Sequence, residues 1–198
     1  MIIGDISSFA IESSITTPLA RKSQLGIGYF VLHINGQVYG VHSPEATVLG
    51  CSFYSVQDRI KQRGSHLAPF CSEEAYKVAD AVRAAEFDEN RQDDIFFDGL
   101  SAEDLRASLS DNSIIWAPDG DAAFDDSSIV LQFDYGDMVR IVAFKNLEDD
   151  EDFIGTIESV EIELEGYYGL LAEWSRQFKA EWEKAILSLP NQSPNRLT

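Results

Sequence analysis

The stretch from Ile129 to Leu189 constrains the fold most, because it sets two strongly patterned strands, a third strand and one long amphipathic helix in succession. Ile129-Val-Leu-Gln-Phe-Asp-Tyr135 and Met138-Val-Arg-Ile-Val-Ala-Phe144 are rich in β-branched and aromatic residues, and the Gly136-Asp137 pair between them suits a two-residue II′ turn. An antiparallel hairpin is predicted. Ile157 to Leu164 then alternates, with Val160, Ile162 and Leu164 on one side and Glu161, Glu163 and Glu165 on the other, the pattern of a strand with one buried and one acidic face. Beyond Gly166, which is placed to end that strand, Leu170, Leu171, Trp174, Phe178, Trp182, Ala185, Ile186 and Leu189 recur at three- and four-residue spacing. That stripe predicts a helix lying on a core and stopped at Pro190.

The upstream half reads as strands followed by helices. Phe9 to Thr17 is a strand closed by Pro18, and Gly26 to Ile34 and Gln37 to His42 flank Asn35-Gly36, the preferred pair for a I′ hairpin turn. Val48, Leu49, Phe53, Val56 and Ile60 predict a helix from Thr47 to Arg63 that ends near Gly64, with Arg59, Lys61 and Arg63 where positive charge complements the helix dipole. A second helix is expected from Ser72 as N-cap, with Glu73 and Glu74 in its first turn. From Phe87 to Ser128 the pattern weakens to loops, a short capped helix at Ser101 to Leu109, a brief strand at Ile114 to Trp116 and turn chemistry at Pro118 to Asp121. Glu148 to Asp152 reads as a solvated acidic loop, and 191–198 as a frayed tail.

Charge narrows the function. The 198 residues carry 34 acidic and 15 basic side chains, a formal net charge of −19. Residues 1–85 hold seven acids and seven bases, so the whole excess lies in 86–198. Such a field repels nucleic acid and anionic membrane and attracts a basic protein. Two cysteines, Cys51 and Cys71, stand in no metal-like spacing and suit a reducing compartment. With no charged-then-apolar leader and no apolar run of membrane-spanning length, the protein is expected to stay in the cytoplasm.

No stretch carries a catalytic signature. His33 and His42 fall on the two arms of the Asn35-Gly36 hairpin and His66 in a loop, the places of ordinary strand and loop histidines. Asp119, Asp121, Asp125 and Asp126 around Gly120 offer oxygen ligands for calcium, but they lack the alternating ligands and closing Glu of the helix-loop-helix site. A solvated acidic loop accounts for them better. No phosphate-cradling loop or dinucleotide fingerprint is present, and no cofactor is expected.

Met1-Ile-Ile-Gly-Asp5 leading into Phe9-Ala-Ile-Glu12, the Ile34-Asn-Gly36 turn, Val139-Arg-Ile-Val-Ala-Phe144, and the closing Tyr167-Tyr168, Leu171, Trp174, Phe178 and Trp182 resemble bacterial polymorphic-toxin immunity proteins, specifically the family numbered forty-two. The resemblance covers most of the chain and is thinnest between 86 and 128. It implies a cytoplasmic protein that binds and neutralises the toxin domain encoded beside it. It carries over no functional residue, because such proteins meet different toxins through variable surfaces.

The expectation is therefore a single α+β domain: a mainly antiparallel sheet of roughly six strands, helices packed on it and a long helix closing the chain. The partner is a cognate toxin domain with a basic surface, with no direct binding to nucleic acid or membrane. Candidate toxin-binding acids are Asp119, Asp121, Asp125 and Asp126 near one rim, Asp134 and Asp137 at the hairpin, and Glu148, Asp149, Asp150, Glu151 and Asp152 on a neighbouring loop. Trp116, Phe124 and Tyr135 are the candidate aromatic anchors. The alternatives are an acidic binding or adaptor module without a toxin partner and, after that, a metal-dependent enzyme.

Overall fold

The computed structural model describes residues 1–116 and 122–189. Strands β1 (Ile2–Gly4), β2 (Phe9–Pro18) and β3 (Gly26–Ile34) lead, and β3 turns into β4 (Gln37–Tyr39). Asn35 at φ 50° and Gly36 at φ 84° supply the two left-handed positions that a I′ turn requires. With β5 (Thr47–Val48) also paired to β3, these strands form a five-stranded antiparallel sheet. Helices α1 (Leu49–Lys61) and α2 (Ala75–Phe87) follow, then the two-residue strands β6 (Ile95–Phe96) and β7 (Leu100–Ser101), and α3 (Ala102–Asp111). The hairpin β8 (Ser128–Tyr135) and β9 (Met138–Lys145) leads to α4 (Asp150–Gly155), β10 (Glu158–Glu163) and α5 (Leu164–Leu187).

The hairpin sits in the middle of the molecule. β10, β9 and β8 form a three-stranded antiparallel sheet in that order. Val130, Val139, Ile141 and Ala143 point into one core, shared with Phe9, Ile11, Phe30 and Leu32 of the larger sheet, Leu49 and Val56 of α1, and Tyr167, Leu171, Trp174 and Phe178 of α5. Their alternate neighbours Ile129, Leu131, Phe133, Val142 and Phe144 point into a second core with Val78, Val82 and Ala85 of α2, Leu105 and Leu109 of α3, and Phe153 of α4. Successive side chains leave a strand on opposite faces, so an unbroken apolar run is what a strand covered on both faces requires.

The α+β class and the long closing helix are as expected, while the strands are divided between two main sheets. Several boundaries differ for local reasons. Residues expected to begin the first helix, Thr47 and Val48, pair with Gly28 and Ile27 as β5. Ser72 does not cap α2. That helix starts at Ala75, after turns in which Cys71 and Glu73 amides donate to Ala68 and Phe70 carbonyls. The last strand ends before Gly166, because the Leu164 amide donates to the Asp137 carbonyl at 2.8 Å and α5 begins there. Ser101 caps α3, accepting from the Asp104 amide at 3.1 Å. Ile115 makes a single bridge to Leu131, the remnant of the expected brief strand. Pro118 to Asp121, Pro190 and the tail lie outside the described residues.

Candidate functional site

The structure separates the candidate acids into two groups at opposite ends of the central hairpin. At its open end, Asn146 donates to the Ser127 carbonyl and Lys145 pairs with Asp126 at 2.6 Å, which brings 145–152 against 125–126. Glu148 to Asp152 is not a plain loop here. The Asp149 carboxylate caps α4 by accepting from the Glu151 and Asp152 amides at 2.9 and 3.0 Å, and Asp150, Glu151 and Asp152 fill the first turn, where the exposed N–H groups favour negative charge. Arg83 of α2 reaches across to Asp150 at 2.8 Å and to the Leu147 carbonyl at 2.9 Å. Asp125, Glu148, Glu151 and Asp152 are exposed and have no cationic partner among the described residues.

The turn end lies about 25 Å away, by the rise of an eight-residue strand. Gly136 at φ 59° makes the turn and Asp137 is exposed beside it. Tyr135 is half-buried, and its hydroxyl is pushed up to about 12 by burial and by Glu161. Glu161, Glu163 and Glu165 project nearby, with Glu165 held by Arg63.

Three candidates are interior, which sequence alone did not place. Asp134 is 3% exposed and lies on the same strand face as Val130, two pairs of residues away. It accepts from the Gly64 amide at 2.7 Å, the Tyr168 hydroxyl at 2.7 Å and Gln132 at 3.0 Å. Gln132 accepts in turn from Tyr167 at 2.7 Å and from the Arg59 guanidinium at 3.0 Å. Burial pushes Arg59 down to about 10 and raises both tyrosines well above their ordinary value. Trp116 is covered by Phe9, Tyr167 and the Arg59 guanidinium, 4.9 Å above its ring, and Phe124 packs on Phe30. All three therefore hold the first core together and do not present a surface in the free protein. Asp119 and Asp121 lie outside the described residues.

The histidines each find polar partners within the fold. On the outer face of the five-stranded sheet, the Glu12 carboxylate accepts from Tyr29 at 2.9 Å and meets His33 at 2.8 Å and His42 at 3.3 Å. Burial acts to raise the Glu12 carboxyl, but these hydrogen bonds and imidazoles together hold it below its usual range. His66 is fully buried, its Nδ1 donating to the Asn112 and Ser113 carbonyls, and burial with Arg59 nearby pulls it below the usual imidazole value. Among the described residues no group of three or more His, Cys, Asp or Glu is arranged to hold a metal ion. Cys51 is exposed and Cys71 half-buried, both as free thiols. No described helix is long and apolar enough to cross a membrane.

The outer face of α2 lies outside the candidates drawn from the sequence. Tyr76 and Phe87 are about half exposed there, between Ile95 of the β6–β7 hairpin and the acidic end of α4. The signal was present: residues 73–98 hold nine acids against three bases, around an otherwise amphipathic helix.

The chain is thus an acidic α+β protein with two cores, whose surface displays unpaired acids and half-exposed aromatics. The sequence profile described as Immunity protein 42 matches residues 1–177, so the chain belongs to that family and is a toxin immunity protein. In fold it is similar to a solved structure described as CdiI from Burkholderia dolosa AUO158, with a TM-score of 0.56 and 10% identity over 89% of this chain and 99% of that one. Among curated proteins none matches it in sequence.

Proposed function

We propose that the protein neutralises a cognate toxin domain in the cytoplasm by forming a stoichiometric complex, without turnover, and that it does so as a single immunity-type domain through its acidic surface. The observation that supports this reading is charge left unspent: Asp125, Asp137, Glu148, Glu151 and Asp152 have no cationic partner among the described residues. Unpaired acids at that density raise the self-repulsion of the free protein, and a basic partner turns the same field into attraction. Steered association reaches about 10⁸–10⁹ M⁻¹s⁻¹ at low salt, against roughly 10⁵–10⁶ for neutral pairs. An inhibitor that must intercept a toxin before it acts gains from that speed.

Titration of the protein into its toxin tests the reading. Toxicity should vanish at one equivalent, and the association rate should fall as salt rises. Joint neutralisation by Asp125→Asn, Glu148→Gln, Glu151→Gln and Asp152→Asn should slow association and flatten its salt slope while leaving dissociation nearly unchanged. Protection by substoichiometric protein would instead mean that the chain destroys the toxin or a toxin cofactor. A salt slope equal to that of the parent would leave the acidity a role in solubility alone.

A further inference from the structure

Helix α2 buries one side and leaves a ridge on the other. Val78, Ala79, Val82 and Ala85 fill the second core, whereas Tyr76, Asp80 and Phe87 lie along the outer side. Two grooves flank the ridge. One, of about 580 Å³, runs between α2 and Asn146 to Asp150 and contains Phe87, and the other, of about 430 Å³, runs between α2 and the β6–β7 hairpin and contains Tyr76 and Ile95. Asp80 lines both. Tyr76 is 49%, Phe87 47% and Ile95 65% exposed, a large apolar presence for one solvent-facing side of a charged protein.

We infer that this ridge is the centre of the toxin interface and that it takes a cationic segment of the toxin, whose apolar side chains cover Phe87 and Tyr76 while its Lys or Arg residues enter the two grooves. The inference rests on the immunity reading and names the site for it. Charge complementarity selects the occupant. The cations already on the ridge are engaged, Lys77 with Glu73 and Glu74, Arg91 with Asp80 and Asp94, and Arg83 with Asp150. Asp98 and Glu148 on the groove walls, and Asp88, whose carboxylate accepts only from Asn90, have no cationic partner among the described residues and can meet an incoming charge. An arriving guanidinium can also lie over the Tyr76 or Phe87 ring, a favourable arrangement for a cation once water is excluded.

The contrast with the groove between α1 and α5 supports the choice. That groove, of about 610 Å³, also has aromatic walls, Phe53, Tyr54 and Trp182, but Lys22, Arg176 and Lys179 line it against the single acid Glu183, so its charge is net positive. It repels a cationic segment. The ridge is also pre-formed, because the Arg140 guanidinium of β9 donates to the Cys71 and Glu73 carbonyls at 2.7 and 2.6 Å and so fixes the entry to α2 from inside the sheet. Little ordering is then required on binding.

The test measures binding of each variant to the purified cognate toxin domain, with its activity abolished. Phe87→Ala and Tyr76→Ala should each raise Kd tenfold or more through faster dissociation, since truncated anchors at an interface centre act there. Lys22→Ala with Lys179→Ala should change Kd less than twofold. Because both anchors are about half exposed, the melting temperatures of these variants should fall by only a few degrees, and both variants stay folded for the measurement. Amide exchange on the unaltered complex gives an independent reading, with added protection in 73–98. If both anchors can be truncated with less than a twofold change while the parent binds, or if protection appears elsewhere, the ridge is not the interface and the immunity reading stands. If the parent itself does not bind, both fall.

Discussion

Trp174→Ala probes the core on which the scaffold depends. The indole is fully buried, its ring stands 5.2 Å from Phe30 and 5.1 Å from Phe178, and its Nε1 donates to the Ser13 hydroxyl at 3.0 Å. Truncation removes the transfer energy of a whole aromatic side chain and leaves a cavity between α5 and the larger sheet, at a cost of about 3–5 kcal/mol. The Ser13 hydroxyl, itself 1% exposed, loses its donor, which adds about 1 kcal/mol. Against a typical stability of about 5–15 kcal/mol this is a large fraction, and at about 2–4 °C per kcal/mol for a chain of this size the melting temperature should fall by roughly 10–20 °C. Trp174→Phe keeps most of the packing and should cost about 2 kcal/mol. Thermal melts and urea titrations of both variants, with Ser13→Ala to complete a double-mutant cycle, separate packing from the hydrogen bond. An unchanged melting temperature for Trp174→Ala would show that this side chain contributes nothing to the core, and the packing argument for α5 would fail.

Two further outcomes follow from the buried polar groups. His66 is held below its ordinary imidazole value in the folded protein, so the unfolded chain takes up its proton first as pH falls. The stability it contributes is therefore full above about 6.5 and is lost progressively below that, at up to about 1.4 kcal/mol per pH unit, and His66→Gln should flatten this part of a urea-midpoint profile. Asp134→Ala removes an acceptor from Tyr168, Gln132 and the Gly64 amide and takes away a negative charge that acts on the buried Arg59, so it should cost about 3 kcal/mol or more. Arg59→Met in the same chain should recover part of that loss, and strict additivity in urea denaturation would show that the two groups are not coupled.

Much of the fold was legible because turn chemistry and alternation are local. Asn35-Gly36, Gly136-Asp137 and Ser101 each placed an element boundary correctly from a few residues. β1, β5 and the β6–β7 hairpin were not legible, since two or three residues carry no period and are held by what lies beside them. The candidate site was read by charge, which finds exposed acids such as Glu148 and Asp152 but cannot tell them from Asp134. Strand phase could have done so, because Val130, Gln132 and Asp134 share a face and the first of them is core. Phe87 was passed over because the periodic pattern weakens from there on, although it closes the last turn of a helix.

The placement of the hairpin also sets when a newly made copy becomes useful. Both cores need β8 and β9, so neither the leading strands nor α2 and α3 have a complete surface to pack on while residues 1–127 alone have emerged. The closing helix, which covers the first core, arrives last. At a synthesis rate of about 5–20 residues per second, the 60 residues from Ser128 to Leu187 take several seconds. Until β9 is made α2 lacks the Arg140 contacts that fix its approach. Each new molecule is thus without a finished scaffold until the closing helix has been made, and protection against a sudden dose of toxin draws on the stock already folded.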